Sequence, residues 1–264
     1  MASGRHVALE RAENVRDLGG YRTTDGFTVS IGALLRAGGL SQLTDQDVER
    51  LSWLRLRTVI DFRTPGEVLS LGPDRLPAGA VGVSFPVSGG DLSEIYDVVE
   101  TGNPLRQFQI LGEGRASEFM AGIYRSFVAD PRQRETFAAA IALVSDGAGP
   151  LMFHCTSGKD RTGWMAAVIL LALGVPLSEV MADYLRSNAC LQPSYRRLRT
   201  GLVKAGLLDD PELLRPVMEV TPGYLYAAFH EAERGYGSFE SFLQRGLGID
   251  GPRLCKLRGI LLTE

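Results

Sequence analysis

Leu151-Met152-Phe153-His154-Cys155-Thr156-Ser157-Gly158-Lys159-Asp160-Arg161-Thr162-Gly163 decides how this chain is read. A short apolar run ends at His154, and a polar loop containing Gly158 follows. Trp164 to Leu173 is then apolar until Gly174 and Pro176 close the run. The pattern predicts a buried strand, a loop and a buried helix, with glycine and proline standing where a helix stops. Cys155 therefore opens a loop that leads into a helix N-terminus, and Arg161 stands at or near the first helical turn.

A loop of this kind suits a phosphate dianion. Its N–H groups point inward on the way into the helix, and the helix dipole adds partial positive charge. Consecutive N–H groups form an anion-binding nest, and the planar fork of Arg161 can grip two phosphate oxygens. The same field favours a thiolate: free cysteine titrates near ~8.5, and at roughly 3.5–7.5 beside cations or helix N-termini. A thiolate under a bound phosphate is an in-line nucleophile, which implies a phosphocysteine intermediate. In this reading Thr156, Ser157, Gly158, Lys159 and Asp160 supply backbone donors. Thr162 places a hydroxyl near the sulfur, and His154 shapes the loop and tunes the thiol. Cys-x5-Arg taken alone also fits a small buried residue at a strand end, because free cysteine is commonly buried.

Composition narrows the alternatives. The 264 residues carry 28 basic and 31 acidic side chains, a net charge of −3. There is no basic stripe of the kind nucleic-acid binding requires. Three cysteines, an odd number, argue against a disulfide framework and suit a reducing compartment. Met1 to Arg16 lacks the apolar core of a signal peptide. The run after Trp164 is too short to span a bilayer. The expectation is a cytoplasmic protein, or one exported without a classical signal peptide. No zinc or calcium spacing appears. Gly158-Lys159 is not a nucleotide loop, since Asp160 stands where Ser or Thr is required.

Along the chain, Ala2 to Arg11 reads as a weakly ordered lead-in. Arg16 and Asp17 read either as an ion pair or as a brace for the phosphate loop. Phe27–Val29 and Ala33–Arg36 read as short strands. Thr44 is an N-cap with Asp47 at N3, and Leu43 and Val48 form a staple. Arg57 to Arg63 reads as a buried strand whose carboxyl end carries Asp61 and Arg63. Ligands gather at such ends, although a solvated strand end is the alternative. Ser88 to Ser117 is Gly-rich with apolar residues at helical spacing. Asp130-Pro131 begins a helix as N-cap and N1. Ser178–Asn188 and Pro193–Gly206 read as separate helices, and the remainder of the chain as helical. Strands thus cluster before Cys155. The fold class expected is α/β: a small central, mostly parallel sheet flanked by helices, with a largely helical C-terminal half, all in one domain over 1–264.

The quoted residues carry a family resemblance. His154-Cys155-x-x-Gly158-Lys159-Asp160-Arg161-Thr162-Gly163 resembles the signature loop of the atypical bacterial tyrosine phosphatases. Asn14-Val15-Arg16-Asp17 resembles the family's N-terminal motif, with Val15 in place of an aromatic. Asp61-Phe62-Arg63 resembles its strand-end motif, and Asp183 to Asn188 and Tyr236-Gly237-Ser238 resemble two more. The resemblance implies a cysteine-phosphatase fold and metal-independent, cofactor-free hydrolysis of phosphotyrosine, with phosphoserine and phosphothreonine as further substrates. It implies Cys155 as nucleophile, Arg161 as phosphate ligand, Asp61 as partner of that arginine, and a helical lid over 88–117. The alternative for the last is an extra helix packed permanently on the body.

The leaving oxygen needs a proton donor, and no Trp-Pro-Asp-like segment stands upstream. Asp160 lies within the loop, at the position the resembling family uses. The alternatives are that Asp160 only orients Arg161, and that Asp61 is the acid. Three rival functions remain at this stage. One is a phosphoinositide phosphatase, with Lys159 meeting a second phosphate. The others are a phosphate-binding module without turnover and a rhodanese-like sulfur transferase.

Overall fold

The computed structural model describes residues 6–147 and 149–264. In chain order come β1 (Arg16–Asp17), β2 (Thr28–Val29), β3 (Leu34–Ala37), α1 (Asp45–Ser52), β4 (Thr58–Asp61), α2 (Pro65–Leu71) and β5 (Val81–Ser84). Then follow α3 (Ser93–Glu100), α4 (Pro104–Leu111), α5 (Arg115–Ala129), α6 (Pro131–Asp146), β6 (Leu151–His154), α7 (Arg161–Ala172) and α8 (Leu177–Lys204). After a 3₁₀ turn at Pro211–Leu214 come α9 (Arg215–Met218), α10 (Pro222–Tyr236), α11 (Phe239–Ser241), a π turn at Phe242–Gly246, α12 (Gly251–Leu261) and β7 (Leu262–Thr263).

The sheet has the order β1-β3-β6-β4-β5. β3, β6, β4 and β5 are parallel, and β1 is an antiparallel edge. β6 is inserted between β3 and β4. Its four residues are all buried, as a strand covered on both faces demands. Ala37 and Asp61 both stand opposite His154, so three strands end level and the loop after β6 leaves from the middle of that edge. Alternation divides the side chains between two cores. Leu34, Ile60, Leu151 and Phe153 face the larger one, filled by α5, α6, α7 and α10. Leu35, Val59 and Met152 face the smaller one with Leu43 and Leu51. α7 is apolar on every side because it lies inside the larger core.

Local signals held where they were self-contained. The Thr44 hydroxyl accepts from the Asp47 amide at 3.1 Å, and Asp47 accepts from the Thr44 amide at 3.2 Å. Asp130 caps α6 with Pro131 in its first turn. Three expectations change. The lead-in from Val7 onward is fastened, because Asp47 also accepts from the amides of Glu10 and Arg11 at 2.7 and 3.0 Å; residues 2–5 lie outside the described residues. α8 is one continuous helix through Pro193. Pro193 and Ala189, whose carbonyl loses its donor, are both exposed, so water can serve that carbonyl. One strand does follow Cys155, since β7 pairs antiparallel with β2. Segment 88–117 forms two helices, α3 and α4. They share a small core with Leu208, Leu214 and Met218, and Gln107 Nε2 donates to the Leu207 carbonyl at 2.7 Å. Among the described residues no helix is long and apolar enough to cross a membrane.

Candidate active site

The loop from Cys155 to Asp160 takes its shape from contacts to its carbonyl groups. Asn14 Nδ2 donates to the Gly158 carbonyl at 2.8 Å and to that of Ser157 at 3.3 Å. Arg36 Nη2 donates to the Gly158 carbonyl at 2.7 Å, and the Gly39 amide to that of Thr156 at 2.8 Å. Three successive carbonyls are thus tied outward. In a trans peptide the next N–H points the opposite way, so the amides of Ser157, Gly158 and Lys159 face the inside of the loop. Gly158 makes this possible. It has φ of 66°, and a Cβ there would sit 2.2 Å from the Ala37 carbonyl oxygen.

The groups that tie the loop are themselves locked. Asp183 takes Arg16 Nε and Arg36 Nη1, both at 2.8 Å, with all three side chains at most 2% exposed. Tyr21 donates to the same carboxylate at 3.1 Å. Burial opposes charge on Asp183, but the two guanidinium groups outweigh it and hold the carboxyl far below its usual range. Burial beside Arg16 pulls Arg36 down to about 10. Arg16 therefore pairs with Asp183 and not with Asp17. Asp17 instead accepts from the amides of Gly19 and Gly32 at 2.7 and 2.6 Å. Arg16 does brace the loop, through Asn14, whose Oδ1 accepts from Arg16 Nη1.

Arg161 is buried and lies in the first turn of α7. Its carboxylate partner is Glu67, correcting the expectation of Asp61. Nη1 meets Glu67 Oε2 and Nη2 meets Oε1, each at 2.6 Å. Nη1 also donates to the carbonyls of Phe62 and Val87 at 3.2 and 3.1 Å. Nε is buried with no partner among the described residues. Glu67 accepts from the Thr156 hydroxyl at 2.5 Å and, as N3 of α2, from the Thr64 amide at 2.8 Å. Burial raises its pKa, but Arg161 and Thr156 bring it down to about 2. Gly89 lies over the guanidinium, where a Cβ would come within 3.3 Å of Nη2.

Asp61 is occupied elsewhere. Arg63 grips it at 2.8–3.0 Å and also bonds Asp74 at 2.7 Å. His154 Nε2 lies 2.8 Å from Asp74, and its Nδ1 lies 3.1 Å from the Cys155 carbonyl. Burial raises Asp74, and the contacts with His154 and Arg63 overcome it and keep the carboxyl below its ordinary range. Asp61, Asp74 and His154 bring donor atoms within 4.8 Å of one another. The cation bridging both carboxylates is the Arg63 guanidinium, so this cluster is a complete ion-pair network that fixes the start of the loop.

Cys155 is 2% exposed, and none of the three cysteines is bridged. The Thr162 hydroxyl is buried and unpartnered among the described residues. Lys159 Nζ is turned inward, 2.9 Å from the Val217 carbonyl and 2.9 Å from Asp160 Oδ2. Tyr124 donates to Asp160 Oδ1 at 2.9 Å. Burial pushes Tyr195 well up against an opposing hydrogen bond to Ser157. Glu67, Asp74 and Tyr195 escaped the sequence reading. For Glu67 a signal existed, since Thr64-Pro65-Gly66-Glu67 is a capping box directly after β4.

Strand, loop and helix in this arrangement are those that the resemblance to the α/β cysteine phosphatases implies. Comparison with known proteins narrows the class. Residues 7–263 match the tyrosine phosphatase family, and the chain belongs to that family. It is 35% identical over 98% of its length to a Cupriavidus necator protein provisionally named a tyrosine-protein phosphatase, covering 90% of that protein. It is 29% identical to the triple specificity protein phosphatase PtpB of Mycobacterium tuberculosis, over 96% of this chain and 98% of that one. It is also 29% identical to a tyrosine-protein phosphatase of Nostoc commune, over 86% of this chain and 73% of the other.

Proposed function

We propose that this phosphatase hydrolyses phosphotyrosine through a phosphocysteine intermediate. The observation that carries the reading is the loop itself, with three carbonyls tied outward and the fork of Arg161 held by Glu67 with Nε unpartnered. Cys155 Sγ attacks phosphorus as the bond to the phenolic oxygen breaks. The departing electron pair is met by a proton from Asp160. Loop amides and Arg161 take the equatorial oxygens and stabilise their charge in the transition state. Water then attacks the phosphocysteine, Asp160 accepts its proton, and the thiolate leaves with the Thr162 hydroxyl as a donor. These steps use side chains and backbone alone.

Cys155→Ser is expected to abolish turnover of a phosphotyrosine peptide and to keep phosphate-ester binding, measured by product release and calorimetry in the presence of a chelator. Appreciable turnover in that variant would overturn the nucleophile.

Wider specificity is the second reading, supported by the triple specificity of the mycobacterial relative. Phosphoserine, phosphothreonine and phosphoinositides come under it. Lys159 is the residue to test, because its Nζ is engaged by Val217 and Asp160 and would have to be released to meet a second phosphate. Lys159→Ala should cost inositol lipids several-fold more than phosphotyrosine if that release occurs. Equal losses would place Lys159 in the loop's framework.

A further inference from the structure

Asp160 is the last residue before α7, yet its side chain does not cap the helix. It is held from another direction. Tyr124, from the middle of α5, donates to Asp160 Oδ1 at 2.9 Å. Tyr184, from α8, donates to the Tyr124 oxygen at 2.6 Å. Both phenols are buried. Burial, and then the charge of Asp160, keep both far above the usual tyrosine range, so they remain neutral donors. The rings are fixed in turn. Tyr124 packs against Phe127 at 5.2 Å, Tyr224 at 5.6 Å and Tyr184 at 6.2 Å. Tyr224 is anchored through its hydroxyl to the Pro216 carbonyl at 2.8 Å.

The direction of this chain distinguishes the two carboxyl oxygens. Oδ1 accepts from Tyr124 and, at 3.2 Å, from Lys159. Its two lone pairs are thereby filled. Oδ2 has Lys159 alone, at 2.9 Å, and retains a lone pair. A proton on the carboxyl must then reside on Oδ2.

We propose that Tyr124 and Tyr184 are positioning residues that hold Asp160 with Oδ1 as acceptor, so that Oδ2 carries the proton delivered to the leaving oxygen. This rests on Asp160 being the acid of the proposed mechanism. The O–H bond at Oδ2 breaks as the proton joins the phenolate oxygen released from phosphorus. Tyr124 goes on donating to the carboxylate that remains. In the second step Oδ2 takes the proton from the attacking water, and the cycle closes with no proton leaving either phenol. An acid held by two locked rings approaches each leaving group from one direction. This is where an error of about 1 Å costs on the order of 10²-fold.

The test compares Asp160→Asn, Tyr124→Phe and Tyr184→Phe on a phosphotyrosine peptide and on p-nitrophenyl phosphate, whose phenol is far more acidic and leaves with little protonic help. Asp160→Asn should lower kcat for the peptide by about 10²-fold or more and for p-nitrophenyl phosphate much less. Tyr124→Phe should show the same selectivity at about tenfold. KM and competitive inhibition by inorganic phosphate should be unchanged, since the loop is intact. Tyr184→Phe leaves Tyr124 in place and should repeat the selectivity at smaller amplitude. It decides the matter if Tyr124→Phe does not fold. A uniform loss in Asp160→Asn would overturn the acid itself. A selective loss in Asp160→Asn beside uniform losses in both tyrosine variants would overturn the positioning pair and leave the acid standing.

Discussion

Two arginine–carboxylate clusters flank the same loop and do different work. Below it, one carboxylate, Asp183, faces two guanidinium groups, and the set is closed to solvent. Every nitrogen of the Arg16 fork finds a protein acceptor. At the mouth, Arg161 and Glu67 are 7% and 28% exposed, and the Arg161 Nε is unmet. Arg36 also has an unmet Nε, but on a side chain with no exposure at all. The two clusters therefore differ in the exposure of their side chains, not in the ion pair. Sealed, paired guanidinium groups hold backbone carbonyls in place. In the proposed mechanism the partly exposed guanidinium, pre-oriented by a carboxylate, is the one that meets the anion.

The comparison breaks most sharply at Arg161. Arg161→Lys keeps the charge and loses the fork. Turnover of a phosphotyrosine peptide should fall by about 10³-fold, and the thermal midpoint should drop only modestly, because the lysine keeps a positive charge beside Glu67. A loss of turnover no larger than the loss of stability would make Arg161 a brace alone.

The reverse pattern is expected below the loop. Asp183→Asn leaves Arg16 and Arg36 facing each other in a dry site, and breaking a buried pair of this kind costs about 3–5 kcal/mol of stability. Denaturant unfolding should register that loss. Activity per folded molecule should fall by less than about tenfold, because Asn14 and Gly39 still hold the loop. A loss of turnover larger than the loss of stability would show that the two clusters are one unit.

The smallest effect sharpens the mouth alone. Glu67 titrates at about 2 in the folded protein against an ordinary 4.5. The folded value is the lower one, so the stabilisation is complete above 4.5 and is lost as pH falls towards 2. Glu67→Gln should flatten the acid-unfolding curve in that window. It should also lower kcat by about tenfold, through a less constrained Arg161. An unchanged acid limb would mean that Glu67 gains nothing from folding.

The strand–loop–helix unit was legible because it is contiguous. An apolar run, a glycine and a second apolar run specify β6, the loop and α7 within about two dozen residues, and periodicity and turn chemistry act over that range. The caps at Thr44 and Asp130 were legible for the same reason. Asp61 was misplaced because its partner was implied by the resemblance alone, and chain order does not say which arginine a strand-end carboxylate meets. Arg63 is two residues away and takes it. Arg16 and Asp17 show the converse, since neighbours in a strand point to opposite faces and so did not pair.

By itself, then, the sequence determined the central strand, the loop that opens at Cys155 and leads to Arg161 in the first turn of a helix, and the class of chemistry. These follow from local geometry and from side-chain types that few other arrangements use together. The tertiary structure alone decided the partners. Glu67 reaches Arg161 across 94 residues, Asp183 reaches Arg16 across 167, and Tyr124 reaches Asp160 across 36. Such pairings are set by which strand lies beside which and by which helix covers the edge. A carboxylate is bound to the guanidinium or hydroxyl that packing brings to it, and packing is a property of the whole chain.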